Sequence, residues 1–360
     1  MNYPEISVIV PARNEEACLG ECLRSLVGQL GVNYEIIVVD DDSSDRTRAI
    51  AESFPVRVVA ADRLPPGWSG KCNAAWSGAQ QAKGKWLLFT DADTKHTPHS
   101  IAAGLREAKR CDAGLLSYSP RQEVSGFWER ALMPVVFAQL AATYSPKDVC
   151  DPQSSAAAAN GQYLLVRRDA YDAIGGHATV ATAILEDVEL ARCVKQAGYR
   201  LQFRWSDVVA TRMYRGFGQM WEGWTKNLAL LFPHPRKLAA TRMLEFCAIA
   251  GCLVLAARKA SEGEVRAAAI GLMLAAGFWT AFLRRIQRAH FDALSRACAI
   301  FGLPMFAMFL LNSSISHRRG SVSWKGRAYR SSQAGTDAAW KGILSEPHSG
   351  CDPEKNSVTH

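Results

Sequence analysis

Acidic residues are scarce in one part of this 360-residue chain, and that scarcity divides it. Residues 236–330 hold only 4 Asp and Glu against 15 Lys and Arg, a net of +11, whereas residues 1–235 hold 26 against 25, a net of −1. The overall charge of +8 is therefore confined to one region, and no aromatic-interleaved basic motif of the RNA-recognition kind is present. A nucleic-acid partner is not expected. The basic residues flank apolar runs instead, the pattern of anchoring at the edge of an anionic membrane. Cys-x-x-Cys pairs are also missing from the ten cysteines. Cys18 and Cys22 stand one helical turn apart without histidine partners, so small buried hydrophobes in a reducing compartment are expected, not a disulfide framework or a zinc site. No cleavable signal peptide is expected either, because Met1 runs almost directly into the first apolar run.

What the chain does have is a series of apolar strands that stop at polar clusters. Ile6-Ser7-Val8-Ile9-Val10 ends at Pro11-Ala12-Arg13-Asn14-Glu15-Glu16, before a helical stretch from Ala17 to Leu30 with Leu19, Leu23, Leu26 and Leu30 on its apolar face. Tyr34-Glu35-Ile36-Ile37-Val38-Val39 ends at Asp40-Asp41-Asp42-Ser43-Ser44-Asp45, where Ser44 or Asp45 is placed to cap the next helix. Trp86-Leu87-Leu88-Phe89-Thr90 ends at Asp91-Ala92-Asp93. Apolar strands alternating with amphipathic helices predict a mainly parallel sheet covered on both faces. Three strand ends then carry acids to its carboxyl edge, where open α/β sheets bind ligands. Carboxylates one residue apart are hard oxygen donors suited to Mg²⁺ or Mn²⁺, ions that bridge nucleotide phosphates.

These residues, together with Gly70-Lys71-Cys72-Asn73-Ala74-Ala75, Gly175-Gly176 and Glu186-Asp187, resemble the nucleotide-sugar-binding half of the family 2 glycosyltransferases, the GT-A fold. The resemblance covers about residues 4–230. The spacing Leu64-Pro65-Pro66-Gly67-Trp68-Ser69-Gly70-Lys71 further resembles a bacterial membrane subgroup associated with hopanoid and carotenoid glycosylation. It implies an α/β GT-A domain over 1–235, with a donor half at 4–118 and an acceptor half at 119–235.

The same resemblance implies the site. Asp41 matches the acid that pairs with the uracil ring of a UDP-sugar, with Pro11, Ala12 and Glu15 shaping that pocket. Lys71 matches a lysine beside the nucleotide, Asp91 the ribose- or phosphate-side acid, and Asp93 the direct ligand of Mg²⁺ or Mn²⁺. Asp187 matches the general base, and a single base implies inversion at the sugar carbon. Glu186, Gly161, Gly176, Arg212 and Arg215 are further candidates for sugar, acceptor or diphosphate contacts. His96 and His99, just beyond the acids, are expected on a solvated loop.

Two other classes are weighed against this one. A nucleotidyltransferase needs a glycine-rich phosphate loop with basic residues after the first strand, and Pro11-Ala12-Arg13-Asn14-Glu15 stands there instead. A processive polysaccharide synthase carries Gln-x-x-Arg-Trp after the base, whereas Gln219-Met220-Trp221-Glu222-Gly223-Trp224 has no arginine before its tryptophan. One transfer to a hydroxyl or carboxyl of a lipid or polyisoprenoid-type acceptor is the better expectation.

Membrane elements are expected over 236–320. Ala239–Ala257, Val265–Leu283 and Ala297–Ile315 approach the length that spans a bilayer, the first carrying Arg242 and Glu245 and the third broken by Pro304. The basic loop Arg284-Arg285-Ile286-Gln287-Arg288 belongs in the cytosol by the positive-inside rule, with the catalytic domain on that side of the inner membrane. A third full span would export the basic run Arg318–Arg330, which the same rule disfavours. Ser125–Tyr144, interrupted by Arg130 and Pro134, is expected as an interfacial helix or a buried core helix. Ala156–Ala159 is expected as a flexible approach to a strand at Tyr163–Val166, and residues 331–360 as a disordered tail.

Overall fold

The computed structural model of the chain describes residues 3–324 and 327–329; the expected tail at 331–360 and the end of the basic run at 318–330 lie outside the described residues. The elements, in chain order, begin with β1 (Ile6–Ala12), α1 (Leu19–Val27), β2 (Tyr34–Asp40), α2 (Thr47–Glu52), β3 (Arg57–Ala60), α3 (Gly70–Gln81), β4 (Trp86–Phe89) and β5 (Thr94–His96). They continue with α4 (Ser100–Arg110), β6 (Ala113–Gln122), α5 (Phe127–Thr143), α6 (Pro146–Cys150), β7 (Leu164–Arg167), α7 (Arg168–Ala173), α8 (Gly176–Thr179), α9 (Glu186–Gln196) and β8 (Arg200–Thr211). After these come α10 (Phe217–Leu231), α11 (Pro235–Ser261), α12 (Val265–Ile286), α13 (Ala293–Arg319) and the hairpin β9 (Val322–Trp324) and β10 (Arg327–Tyr329). They fall into two compact units, 3–123 with 144–213, and 124–143 with 214–324 and 327–329.

The first unit is built on an eight-stranded sheet in the order β3-β2-β1-β4-β7-β6-β8-β5. β3, β2, β1 and β4 are mutually parallel, with Ile6 opposite Tyr34 on one side and Trp86 on the other. β7 runs antiparallel between β4 and β6, and β5 closes the far edge antiparallel to β8. The expected mainly parallel, two-faced sheet is present. Its central strands β1, β2, β4 and β7 are largely apolar and buried because both faces are covered, whereas β5 and β8 at the far edge carry polar and charged residues. Ile6, Val8 and Val10 of β1 pack with Leu19, Leu23 and Leu26 of α1 and Ile101 and Leu105 of α4. Ile9, one residue out of phase, joins Val39, the small residues Ala74, Ala75 and Ala79 of α3, and Leu190 and Val194 of α9. The strand period of two thus builds two cores from one run.

Three local expectations are corrected, and the choice between two caps is decided. The first helix stops at Val27 because Gly28 follows, and Leu30 lies beyond it, exposed. Asp45, not Ser44, receives the Thr47 N–H of α2, at 2.9 Å. Ala156–Ala159 is irregular yet packed: Ala157 and Ala158 are buried, and Lys195 Nζ donates to the Ala156 carbonyl at 2.6 Å. The strand it leads to begins at Leu164, one residue later than expected.

In the second unit α11 and α12 pair side by side, with Gly271 against Ala256. Glu245 receives Arg242 at 2.6 Å and Arg285 at 2.8 Å, so the charges that interrupt the apolar pattern neutralise one another in part. Three helices, Pro235–Ser261, Val265–Ala289 and Ala293–Arg319, are long and apolar enough to cross a membrane by length and composition. They are not equivalent. Half of the apolar window of α13 is buried, against 11% for α11 and 22% for the second helix. Leu244, Val254 and Met273 stand exposed on the α11–α12 pair, whereas Phe306, Phe309 and Leu310 of α13 are enclosed. α13 is held to α10 by Asn312 Nδ2 and Ser313 Oγ, which both donate to Thr225 at 2.7 Å.

α13 runs unbroken through Pro304, contrary to the break expected there, and α5 likewise continues through Pro134. A proline removes one backbone hydrogen bond from a helix, and dense packing around Leu303 and Met305, and around Met133 and Val135, keeps both continuous. α5 takes the buried-core alternative along most of its length, with Phe127 and Trp128 exposed at its start. It lies tightly against α13 at Gly302, where an added Cβ would collide with the Ala131 carbonyl. Gly302→Val should therefore destabilise the second unit by at least the ~1–3 kcal/mol of an overpacked core. A lower melting temperature in detergent is the expected result, and an unchanged one would mean that the two helices do not approach this closely.

Candidate active site

The loops after β1 and β2 are tied to each other before any ligand is considered. The Asp41 N–H donates to the Ala12 carbonyl at 2.9 Å, and the Arg13 guanidinium reaches the Asp41 carbonyl at 2.6 Å and that of Asp42 at 3.1 Å. Asn14 Oδ1 accepts the Ser44 N–H at 2.9 Å, and the Glu15 N–H donates to Thr47 Oγ1 at 2.7 Å. Asn14 and Asp42 turn their loops at φ of 51° and 55°, where short polar side chains are among the few non-glycine residues tolerated. Asp41 ends buried at this corner, beside Ala12.

Beside it, β4 is followed by Thr90 and Asp91, and α3 begins with Ser69 accepting the Cys72 N–H at 3.1 Å. That cap places Lys71 in the first turn. Its Nζ lies 2.8 Å from Asp91 Oδ1 and 2.9 Å from Glu186 Oε1, the latter in the first turn of α9. The next residue, Asp187, accepts the Gly161 N–H at 2.8 Å through one oxygen and the Val188 N–H at 2.9 Å through the other. A Cβ at Gly161 would come within 2.9 Å of Lys71 Nζ, so a side chain there would push the ammonium from its place.

These contacts set the charges. Burial disfavours the Lys71 ammonium, but Asp91, Glu186 and Asp187 together outweigh it and hold its pKa well above the usual lysine value. For Asp187, desolvation and the neighbouring Glu186 raise the carboxyl to about 6, against the opposing pull of Lys71 and two backbone N–H groups. A carboxylate with that pKa is poised to accept a proton near neutral pH.

Pro11, Lys71, Asp91, Gly161, Glu186 and Asp187, six of the residues singled out in the sequence, line one pocket with Ala75, Phe89, Thr90, Leu164 and His177. Ala12, Glu15 and Asp41 belong to the neighbouring corner, and Asp93 follows Asp91 by two residues between the buried Ala92 and Thr94. Gly176 is packed against the Tyr171 ring, outside the pocket lining. Arg212 directly follows β8 in the first unit, and Arg215 belongs to the second.

One histidine differs from expectation, and another lines the pocket without having been singled out. His96 is not on a solvated loop. It lies buried in β5, its imidazole between Thr90 and Thr94 at 3.1 and 3.2 Å on one side and Ser100 at 3.1 Å on the other, and burial pushes its pKa down to about 3. His99 is exposed, as expected. His177 stands in the sequence only as the residue after a glycine pair, yet it is buried and lines the pocket. A single histidine after two glycines has no periodicity to reveal it.

A mainly parallel sheet whose carboxyl edge gathers acids from β2, β4 and the start of α9 has the architecture of a GT-A glycosyltransferase. The sequence model of Glycosyl transferase family 2 matches residues 7–175. A 4,4'-diaponeurosporenoate glycosyltransferase of Staphylococcus aureus (strain MRSA252) is 30% identical over 346 residues, covering 91% of this chain and 89% of that protein. The protein of the same name from strain USA300 is 29% identical over the same span. A mannosyltransferase from Pyrobaculum calidifontis, solved with GDP-Man and Mn²⁺, superposes with a TM-score of 0.53 over 88% of this chain and 87% of that one, at 18% identity, and shares the fold. The chain belongs to glycosyltransferase family 2. It is an enzyme of that class, not a nucleotidyltransferase.

The electrostatics generate a directional expectation for pH. With Asp187 as the base, turnover should rise as pH increases through about 6 and then level, because below that pH its carboxyl is protonated and too weak a base to take the acceptor proton. Glu186→Gln removes a like charge and should move the rise to lower pH, while Lys71→Met removes the opposing cation and should move it to higher pH. A turnover profile of the three proteins tests this. Identical midpoints would show that the limb does not belong to Asp187.

Proposed function

We propose that this enzyme transfers a sugar, with inversion, from a nucleotide sugar to a hydroxyl or carboxyl of a long apolar acceptor at the cytosolic face of a membrane. The observation that carries this reading is the Asp187 carboxylate, fixed by two backbone N–H groups, raised toward neutrality, and set in one pocket with the Lys71–Asp91 pair. In this reading Asp187 takes the proton of the acceptor as its oxygen attacks the sugar carbon. A single base used directly makes the displacement invert configuration, in contrast to the paired carboxylates of retaining glycosidases.

The donor lies across the carboxyl edge, its base at the Pro11–Ala12–Glu15–Asp41 corner and its diphosphate toward Lys71 and Asp91. UDP is the nucleotide favoured by the resemblance of Asp41 to a uracil-pairing acid. Asp93, with Asp91, is the pair that would hold Mg²⁺ or Mn²⁺. The donor set fits such an ion: both groups are carboxylates, and among the described residues no cluster of three or more His, Cys, Asp or Glu is built to enclose a metal. An ion held partly by protein and partly by phosphate oxygens is the habit of Mg²⁺ sites. When bound, it would neutralise charge on the departing diphosphate.

The acceptor class follows from two observations. The relatives at about 30% identity are named for 4,4'-diaponeurosporenoate, and three helices among the described residues are apolar enough to enter a membrane. A carotenoid-like or other polyisoprenoid acceptor dissolved in the bilayer fits both. The basic residues Arg284, Arg285 and Arg288 favour the cytosolic side for that end of the α11–α12 pair. Gln219-Met220-Trp221 lacks the arginine of the processive motif, so one sugar is added per acceptor.

Two measurements check this reading. Asp187→Asn keeps the shape and the donor site, so calorimetric affinity for the nucleotide sugar should stay nearly constant while turnover falls by roughly 10²–10⁴-fold; Asp41→Asn should weaken the donor first. Lost donor affinity in Asp187→Asn with turnover preserved at saturating donor would remove Asp187 from the role of base. Membrane attachment is tested separately: the full-length protein should stay with the membrane pellet through a carbonate wash. Release into the wash without detergent would make α11 and α12 core helices and remove the basis for a bilayer-dissolved acceptor.

A further inference from the structure

His177 is held too specifically for a residue that only fills space. The turn before it places Gly175 and Gly176 at φ of +74° and +55°, and the Tyr171 ring packs directly on Gly176, where any Cβ would collide with it. The Tyr171 hydroxyl accepts the His177 backbone N–H at 3.2 Å and stands 2.9 Å from Nδ1 of the imidazole. Among the described residues that hydroxyl has no other acceptor, so its proton goes to Nδ1 and the ring keeps its own proton on Nε2. Phe89, the last residue of β4, meets the ring edge-on at a centroid distance of 4.6 Å. Three contacts therefore fix the plane, the tautomer and the position of a buried imidazole that lines the pocket with Glu186, Lys71 and Asp187.

We propose that His177 Nε2–H and the Glu186 carboxylate form a donor–acceptor pair that reads a hydroxyl of the transferred sugar, making His177 a specificity-determining residue. The inference rests on the sugar-transfer reading above. A sugar hydroxyl is both donor and acceptor, and it matches a neutral imidazole N–H beside a carboxylate better than either group alone. Burial keeps the imidazole neutral, with its pKa pushed down to about 4, so it stays a single-proton donor through the working range of pH. Lys71 already neutralises much of the Glu186 charge, which leaves the carboxylate to accept without demanding a cation from the substrate. A site built to pair a hydroxyl discriminates against an analogue that lacks it more sharply than an apolar pocket does.

The experiment uses the full-length enzyme in detergent or vesicles, a panel of UDP- and GDP-linked hexoses, and then the monodeoxy analogues of the best donor. The wild type should discriminate strongly against one monodeoxy donor. His177→Phe should lose roughly tenfold in kcat/KM on the parent sugar, the value of one hydrogen bond, and lose little on that analogue, so the discrimination collapses. His177→Gln, whose amide retains an N–H, should keep much of it, and the melting temperatures of both variants should show that they fold. Tyr171→Phe frees the tautomer and should weaken discrimination without abolishing turnover. An active wild type whose preference survives in His177→Phe, or a variant that loses parent and analogues in equal proportion, overturns this inference alone. A wild type that transfers from no nucleotide sugar overturns the transfer reading along with it.

Discussion

Lys71 Nζ, 2.8 Å from Asp91 and 2.9 Å from Glu186, is the contact on which the pocket depends. Asp91, Glu186 and Asp187 come from the end of β4 and the start of α9, and three carboxylates converging on a partly desolvated pocket repel one another. A single compact ammonium compensates them, and its own burial is tolerated only because they surround it. The compensation is incomplete, since one cation faces three anions. Desolvation first and the neighbouring Glu186 second then raise the Asp187 carboxyl to about 6, against the partial opposition of Lys71.

Small residues make that arrangement possible. Gly161 lets its backbone N–H reach Asp187 with Lys71 close by, and Gly176 admits the Tyr171 ring that orients His177. Ala74, Ala75 and Ala79 let α3 lie on the sheet closely enough for its first turn to meet the end of β4. In each case the absence of side-chain volume is what brings a polar group within hydrogen-bonding range.

The second unit meets a different constraint. Its helices must bury or expose long apolar surfaces, and they do so unequally. α13 is enclosed by α5 and α10, while α11 and α12 present Leu244, Val254 and Met273 outward. The arginines and the glutamate of the α11–α12 pair meet each other at 2.6 and 2.8 Å, so ionic groups persist among apolar helices at a reduced desolvation cost.

Much of this was legible in the residue order, because short-range patterns have local physical causes. A strand buried on both faces must be apolar throughout, so β1, β2 and β4 announced themselves, and acids at their ends marked one edge of the sheet. The spanning length and basic flanks of α11 and α12 were equally plain. His96, α5 and Pro304 were not, because each is decided by what packs against it: the threonines and Ser100 around the imidazole, and the residues enclosing the two proline-containing helices. The sequence by itself determined the strands, the acids and the family. Which of those acids share a lysine, and which histidine turns toward them, depended on α9 and the Gly175–Gly176 turn folding back onto β4. Charge balance and ring packing act through space between residues far apart in the chain, and only the tertiary structure brings them within range.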